Sequence, residues 1–307
     1  MSAAVWFGSS VLSLSLAQTE TNLTNALKLL TRAQSPAGIA QRIDLYEETI
    51  GQCRLITATS SNFCAAQMVW AICLVDLAQV VTQRLDSADY AHQAQVRLAT
   101  AEQCAPQSWL VQQTWGRLLL AEAERQESAP KAAGRLLEQA RQHFEKARQI
   151  PAFKGDHANS DFHVSLCLIR LAQLTSNRID KLALYREVGR RCESAAQVPG
   201  FTKQGQVHGV WGGALLEIGK LEGQRQTLRQ SIEHLQTALS LTANDLKARY
   251  NLACAYALLD NTDLALKELA TCLKNDPTGA YWNTAQNDGD LESIRCMDEF
   301  RDLPVTH

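Results

Sequence analysis

Nine cysteines are scattered along the 307-residue chain without one Cys-x2-Cys pair, so the thiol spacing that builds a structural zinc site is missing. Their odd count favours reduced thiols and a cytoplasmic protein over a disulfide framework. Runs of alternating β-branched residues are nearly absent, and proline numbers only seven, mostly between periodic segments, which excludes a sheet protein and leaves a helical one. Charge of one sign is lacking too. A net charge of −2 gives no concentrated basic face, and nucleic acid is not an expected partner. Phosphate chemistry lacks its loop, because Gly209, Gly212, Gly213 and Gly219 follow no strand and precede no Lys-Ser/Thr; close helix packing explains them better. No metal set converges: His157, Asp161, His163 and Cys167 do not share one helical face. No Cys is placed beside a His as nucleophile and base, so no catalytic residue, metal or cofactor is assigned and the chain reads as not an enzyme.

What is present is helical periodicity, clearest in Leu246 to Pro277. Two apolar-periodic halves flank a turn at Asp260, Asn261 and Thr262. Leu252, Ala253 and Tyr256 share a face of the first half, and Ala265, Leu269 and Cys272 a face of the second, with Pro277 as a stop. The order Arg249-x2-Leu252-Ala253-x2-Tyr256, Ala265-x3-Leu269, Pro277 resembles the tetratricopeptide (TPR) repeat, with Arg249 in place of its aromatic and Ala253 in place of its Gly.

The second-half pattern, small then large at +4 then small at +7, recurs upstream. It returns Tyr46/Ile50/Cys53, Ala94/Leu98/Ala101, Ala140/Phe144/Ala147, Tyr185/Gly189/Cys192 and Ser231/Leu235/Ala238, at steps of 48, 46, 45 and 46 residues before a last step of 34. Leu45-Tyr46-x-Glu48-x4-Cys53 repeats as Leu184-Tyr185-x-Glu187-x4-Cys192, 139 residues later. Trp70-Ala71, Trp115-Gly116 and Trp211-Gly212 mark the first helices. These tryptophans either pack between helices or line a groove and grip a ligand. HEAT-type repeats have a similar period, but the final unit favours the TPR-like reading. Pro151 to Ser160, with Gly155, Asp156 and Asn159, is the expected longer loop.

The resemblance implies an all-α, right-handed superhelical solenoid of antiparallel helix pairs. Residues 1–18 form an apolar segment that is either a first helix or, with Ser15-Leu16-Ala17 as a cleavage site, an export signal that would make the protein periplasmic. The segment is too short and polar to span a bilayer. Residues 19–277 form the array of about six helix pairs, and 278–307 a cap that resembles the closing element of bacterial TPR arrays. In the cap, Asp288, Asp290, Glu292, Asp298 and Glu299 are expected to be solvated.

In the TPR family the concave groove is lined by first-helix residues. The resemblance carries that role to Lys247, Tyr250, Asn251 and Cys254, with Lys247 and Asn251 positioned to hold a peptide carboxylate or backbone. His208 beside Trp211 is a further candidate for a binding surface. The expected function is a scaffold that binds a protein or peptide partner; the alternative is a regulatory module sensing a ligand or peptide in a discrete pocket near the tryptophans.

Overall fold

A computed structural model describes residues 20–34, 38–81, 84–126, 128–151 and 154–303. The apolar segment 1–18 lies outside them. The chain divides into two compact units, Met1–Pro151 and Ala152–His307. Both are helical, with no strand among the described residues. Unit 1 holds α1 (20–33), α2 (Ile39–Arg54), α3 (Phe63–Val80), α4 (Arg84–Cys104), α5 (Trp109–Glu124) and α6 (Pro130–Gln149). Unit 2 holds α7 (Lys154–Leu174), α8 (Arg178–Ala196), α9 (Gln204–Glu222), α10 (Arg225–Leu241), α11 (Leu246–Leu258) and α12 (Thr262–Lys274). It closes with the short α13 (Ala280–Ala285), α14 (Glu292–Arg295) and α15 (Asp298–Arg301).

Helices pack in consecutive pairs: α3 with α4, α5 with α6, α7 with α8, α9 with α10 and α11 with α12. The breaks have local causes. Pro130 opens α6 at its first position, where a missing N–H costs nothing. Asn177 caps α8 through Ile179 N at 2.9 Å, and Asp245 caps α11 through Ala248 N at 2.9 Å. The turn between α11 and α12 passes through Asp260 at φ 63°, a left-handed conformation that a short polar side chain tolerates.

Each second helix presents the expected small-large-small triad to the core. Leu98, Phe144, Leu235 and Leu269 are all fully buried, as are Ala94, Ala140, Ser231 and Ala265 one turn before them. α8 departs from the pattern: Gly189 is only half-buried, and Val188 beside it takes the large position at 0% exposure. Facing the large residue is a small one on the first helix. A Cβ on Gly116 would lie 2.6 Å from the Phe144 ring, and one on Gly212 would lie 2.6 Å from Leu235. On α9 the close approach repeats at Gly205 and Gly219, which sit against Thr242 and Leu228 of the α10 segment. Ser231 Oγ donates to Gly212 O at 2.7 Å, a side chain meeting backbone across the pair.

α3 is long and apolar enough to cross a membrane, yet 13 of its 18 residues are buried within unit 1. Its polar residues are used inside: Asp76 pairs with Arg117 of α5, and Gln67 accepts from Arg97 of α4. It is a core helix.

Three expectations are corrected. α7 begins at Lys154, so Gly155, Asp156 and Asn159 lie in its first turns instead of a long loop; Asp156 there suits the positive end of the helix. The tail, whose apolar Leu291, Ile294, Phe300 and Leu303 predict one helix after the Asn287-Asp288-Gly289 turn, instead breaks between α14 and α15 around Cys296 and Met297. The cysteines are not all thiols either. Cys64, at the start of α3, is bonded to Cys104, at the end of α4, with Cα atoms 5.9 Å apart, and seven remain free. Cys53, Cys192 and Cys272 do pack as small apolar residues, and burial pushes each thiol up to about 12.

Two outcomes test this packing. Gly51 on α2 is exposed with open space around its Cα, whereas Gly116 faces the immobile Phe144 ring. Gly51→Ala is expected to raise stability by about 0.5–1 kcal/mol and Gly116→Ala to lower it by roughly 1–3 kcal/mol in denaturant titration; effects of the same sign would refute the interlock. Thiol alkylation in denaturant without reductant is expected to label seven cysteines, and nine after reduction.

Candidate functional site

In unit 2, α9 packs against both α7 and α11, so three first helices lie side by side. Between them is a recess of about 430 Å³. Phe162, Leu166 and Ile169 of α7 and Val210 and Leu216 of α9 give it an apolar floor, with Tyr185 of α8 behind them. Gln173, Gln206, Glu217, Asp245, Lys247 and Asn251 form a polar rim. The space exists because α9 carries Gly209 and Gly213 on this side: a Cβ there would meet Asp245 Oδ2 at 3.3 Å and Asn251 Nδ2 at 3.1 Å. These two glycines therefore set the width between α9 and α11, with Gly209 also facing Ala238 of α10, while Gly205, Gly212 and Gly219 serve the contact with the α10 segment. Burial, and after it the Glu217 charge, pushes the Tyr185 hydroxyl up to about 12, which keeps it a neutral donor.

The sequence-based candidates divide into three groups. Lys247 and Asn251, one turn apart on α11, both reach the recess. Tyr250 and Cys254 do not. They are buried on the α11 face that meets the cap, where Tyr250 Oη donates to Asp288 Oδ2 at 2.8 Å and Cys254 Sγ lies 3.9 Å from the same oxygen. Burial raises both groups well above their usual ranges, with the nearby carboxylates adding to it. His208 and Trp211 form a third group, on the side of α9 that meets α10, and Trp211 lines no part of the recess.

The expectation that Asp288 and Asp290 are solvated is also overturned. Asp288 accepts from Tyr250, and Asp290 lies 2.7 Å from Lys220 Nζ, which also reaches Glu217 at 3.0 Å. Burial lifts the Asp290 carboxyl even with Lys220 against it, and the two carboxylates hold the Lys220 ammonium charged although burial opposes it. Cys254, Asp288 and Asp290 come within ligand range of one another, but Lys220 already supplies a cation. Sequence reasoning missed this link between recess and cap, since Glu217 and Lys220 lie on α9 and Asp290 in the cap, 70 residues on from Lys220. Of the other imagined metal set, Asp161 is engaged by Arg191 at 3.1 Å and Ser194 at 2.8 Å.

No family model matches the chain, and no curated protein matches its sequence. Solved structures do resemble it. The S. pombe nuclear import adaptor Nro1 is similar at a TM-score of 0.53 and 12% identity, over 90% of this chain and 98% of that one. YrrB, described as a TPR protein with an unusual peptide-binding site, is similar at a TM-score of 0.43 and 16% identity, over 71% of this chain and 92% of that one. The fold is a TPR-like helical repeat.

The TPR-like register also orders the tryptophans. In three pairs the first-helix Trp stacks on the second-helix residue just before the large member of the triad. Arg97 Cζ lies 3.8 Å from the Trp70 ring, His143 stacks on Trp115 at 5.8 Å, and His234 stacks on Trp211 at 3.9 Å between centroids. The tryptophans thus pack between the helices of their own pairs. His234 Nδ1 is 3.0 Å from His208 Nδ1, with ring centroids 5.2 Å apart, so the two nitrogens face each other and hold a single proton between them.

Burial, and then the His208 charge, lowers His234 to about 4 from an ordinary 6.5. A group whose folded pKa is depressed stabilises the fold above its unfolded value, and that contribution is lost as pH falls through the folded one. Acidification from pH 6.5 towards 4 is therefore expected to cost the wild type roughly 1 kcal/mol more than His234→Phe, a value discounted for the half-exposed ring. Denaturant titrations at both pH values read the difference; equal losses would show that the pair does not titrate.

Proposed function

We propose that the chain is a non-enzymatic scaffold that binds an extended peptide segment of a protein partner in the recess between α7, α9 and α11. The observation that carries this reading is the pairing of an apolar floor with a polar rim on a surface built from first helices. Phe162, Leu166, Ile169 and Val210 offer a pocket for an apolar side chain. Lys247 and Asn251 present donors on one wall, suited to a backbone carbonyl or a carboxylate, while Asp245 and Glu217 accept from N–H groups. The likeness to Nro1 is one of fold at 12% identity, so the ligand chemistry is read from the recess alone.

An extended strand satisfies such a site better than a small metabolite does. It supplies alternating side chains for the floor and evenly spaced polar groups for the rim. The reading as a ligand sensor with a pocket at the tryptophans has less support, because Trp211 turns toward α10 and away from the open face.

The test is affinity capture from native cell extract with the full chain, followed by photo-crosslinking from position 210 to map the captured segment. Lys247→Ala combined with Asn251→Ala is expected to weaken capture by about tenfold, the effect of losing one to two well-placed contacts, with helical content unchanged. Crosslinks that fall on no single segment, or capture that ignores the double substitution, would remove the recess as the binding site.

A further inference from the structure

At the junction of α2, α3 and α4, two arginines approach one indole with no acid between them. Arg97 lies over Trp70 with Cζ 3.8 Å from the ring centroid, and Arg54, the last residue of α2, reaches the same ring at 5.4 Å. Arg97 Nη1 donates to Gln67 Oε1 at 3.2 Å, and Gln67 is 3% exposed. Two donors are left over: Arg97 Nε and Trp70 Nε1 are buried with no acceptor. Trp70 itself is 8% exposed.

Three other partly buried arginines of this chain show what is missing. Arg117 has Asp76, Arg191 has Asp161 and Glu187, and Arg249 has Glu268. Arg97 and Arg54 have no carboxylate among the described residues. Burial lowers Arg97, and among the described residues the neighbouring charge that acts on it is Arg54, which lowers it further. Like charges without a counterion are destabilising, and an oxyanion that meets the two guanidinium groups supplies the missing charge.

We propose that Arg54, Arg97 and Trp70 form a binding site for a phosphoryl group on unit 1. Two unopposed guanidinium forks match a dianion with several acceptor oxygens better than a carboxylate, which brings one charge and two oxygens in a plane. The indole floor shields one side, Gln67 fixes the Arg97 fork, and the exposed Arg54 closes on the ligand from solvent.

The probe is inorganic phosphate. Thermal midpoints of the full chain are compared at pH 7 in phosphate, acetate and chloride of equal ionic strength, with the apparent dissociation constant for phosphate taken by calorimetric titration. Phosphate is expected to raise the midpoint more than either other anion, and Arg54→Gln to weaken phosphate binding by about tenfold, the effect of one charge-assisted bond. Arg54 is exposed, so this variant keeps its fold. Acetate matching phosphate would overturn the phosphoryl assignment, three equal anions would reduce the effect to screening, and binding undiminished in Arg54→Gln would place the phosphate elsewhere.

Discussion

A large residue of one helix seated against the backbone of its partner is the contact on which the rest depends. Phe144 over Gly116 and Leu235 over Gly212 bring each helix pair closer than a Cβ would allow. Glycine inside a helix costs about 1 kcal/mol against alanine, and α9 carries it at 205, 212 and 219 along a single line. The loss is offset because those positions let the whole apolar face of α10 close on α9, with Ser231, Leu235 and Ala238 fully buried. Once the large residue is so fixed, the residue before it turns toward the first-helix tryptophan. The stacks at Arg97, His143 and His234 follow from that register.

The same constraint leaves a neighbouring side of the first helices free. On α9 that side carries Gly209 and Gly213, and its width toward α11 is set by Asp245 and Asn251. The apolar floor below is supplied by α7, whose interior polar group, Asp161, is tied to Arg191 and Ser194 of α8. Farther along α9, Glu217 sits on the recess rim and shares Lys220 with Asp290 of the cap. A rim group of the recess is thereby joined electrostatically to the segment that closes the unit, through a lysine with carboxylates on both sides.

Helix pairing was legible because it is periodic. The spacing that links Tyr46, Ala94, Ala140, Tyr185, Ser231 and Ala265 is a statement about which face is buried, and burial follows it in every second helix except at Gly189, where Val188 intrudes. Helical spacing also separates the groove candidates: Lys247 and Asn251 share the face of α11 that lines the recess, whereas Tyr250 and Cys254 belong to another that the cap covers. Nothing local to Asp288 or Asp290 announces Tyr250 or Lys220 as partners, since those contacts arise from how the cap folds back. The Cys64–Cys104 bond did leave a trace. The two residues stand at nearly equal distances along the chain from the break between α3 and α4, and an antiparallel pair brings the start of its first helix to the end of its second. Reading cysteines by motif spacing alone passes over such pairs.

In unit 1 two neighbouring cations share one indole without a counterion among the described residues. Stacking on an indole returns about 0.5–2 kcal/mol to a guanidinium, the upper end only when it is desolvated. Removing a charge from water costs several kcal/mol unless a counterion answers it. Asp76, buried on α3 close along the chain, is answered by Arg117, so the fold has the means to pair a charge at this depth. Arg97 is not answered, and Arg54 beside it makes the balance worse. A Leu or Met at position 97 would cover the same indole face without an unmet Nε–H and without repulsion, and would give up only the bond to Gln67. What the arginine pair returns to the fold, a stack on the indole and a bond to Gln67, is small against two charges left unanswered, and the physical ground for the pair is the anion that the two forks are placed to receive.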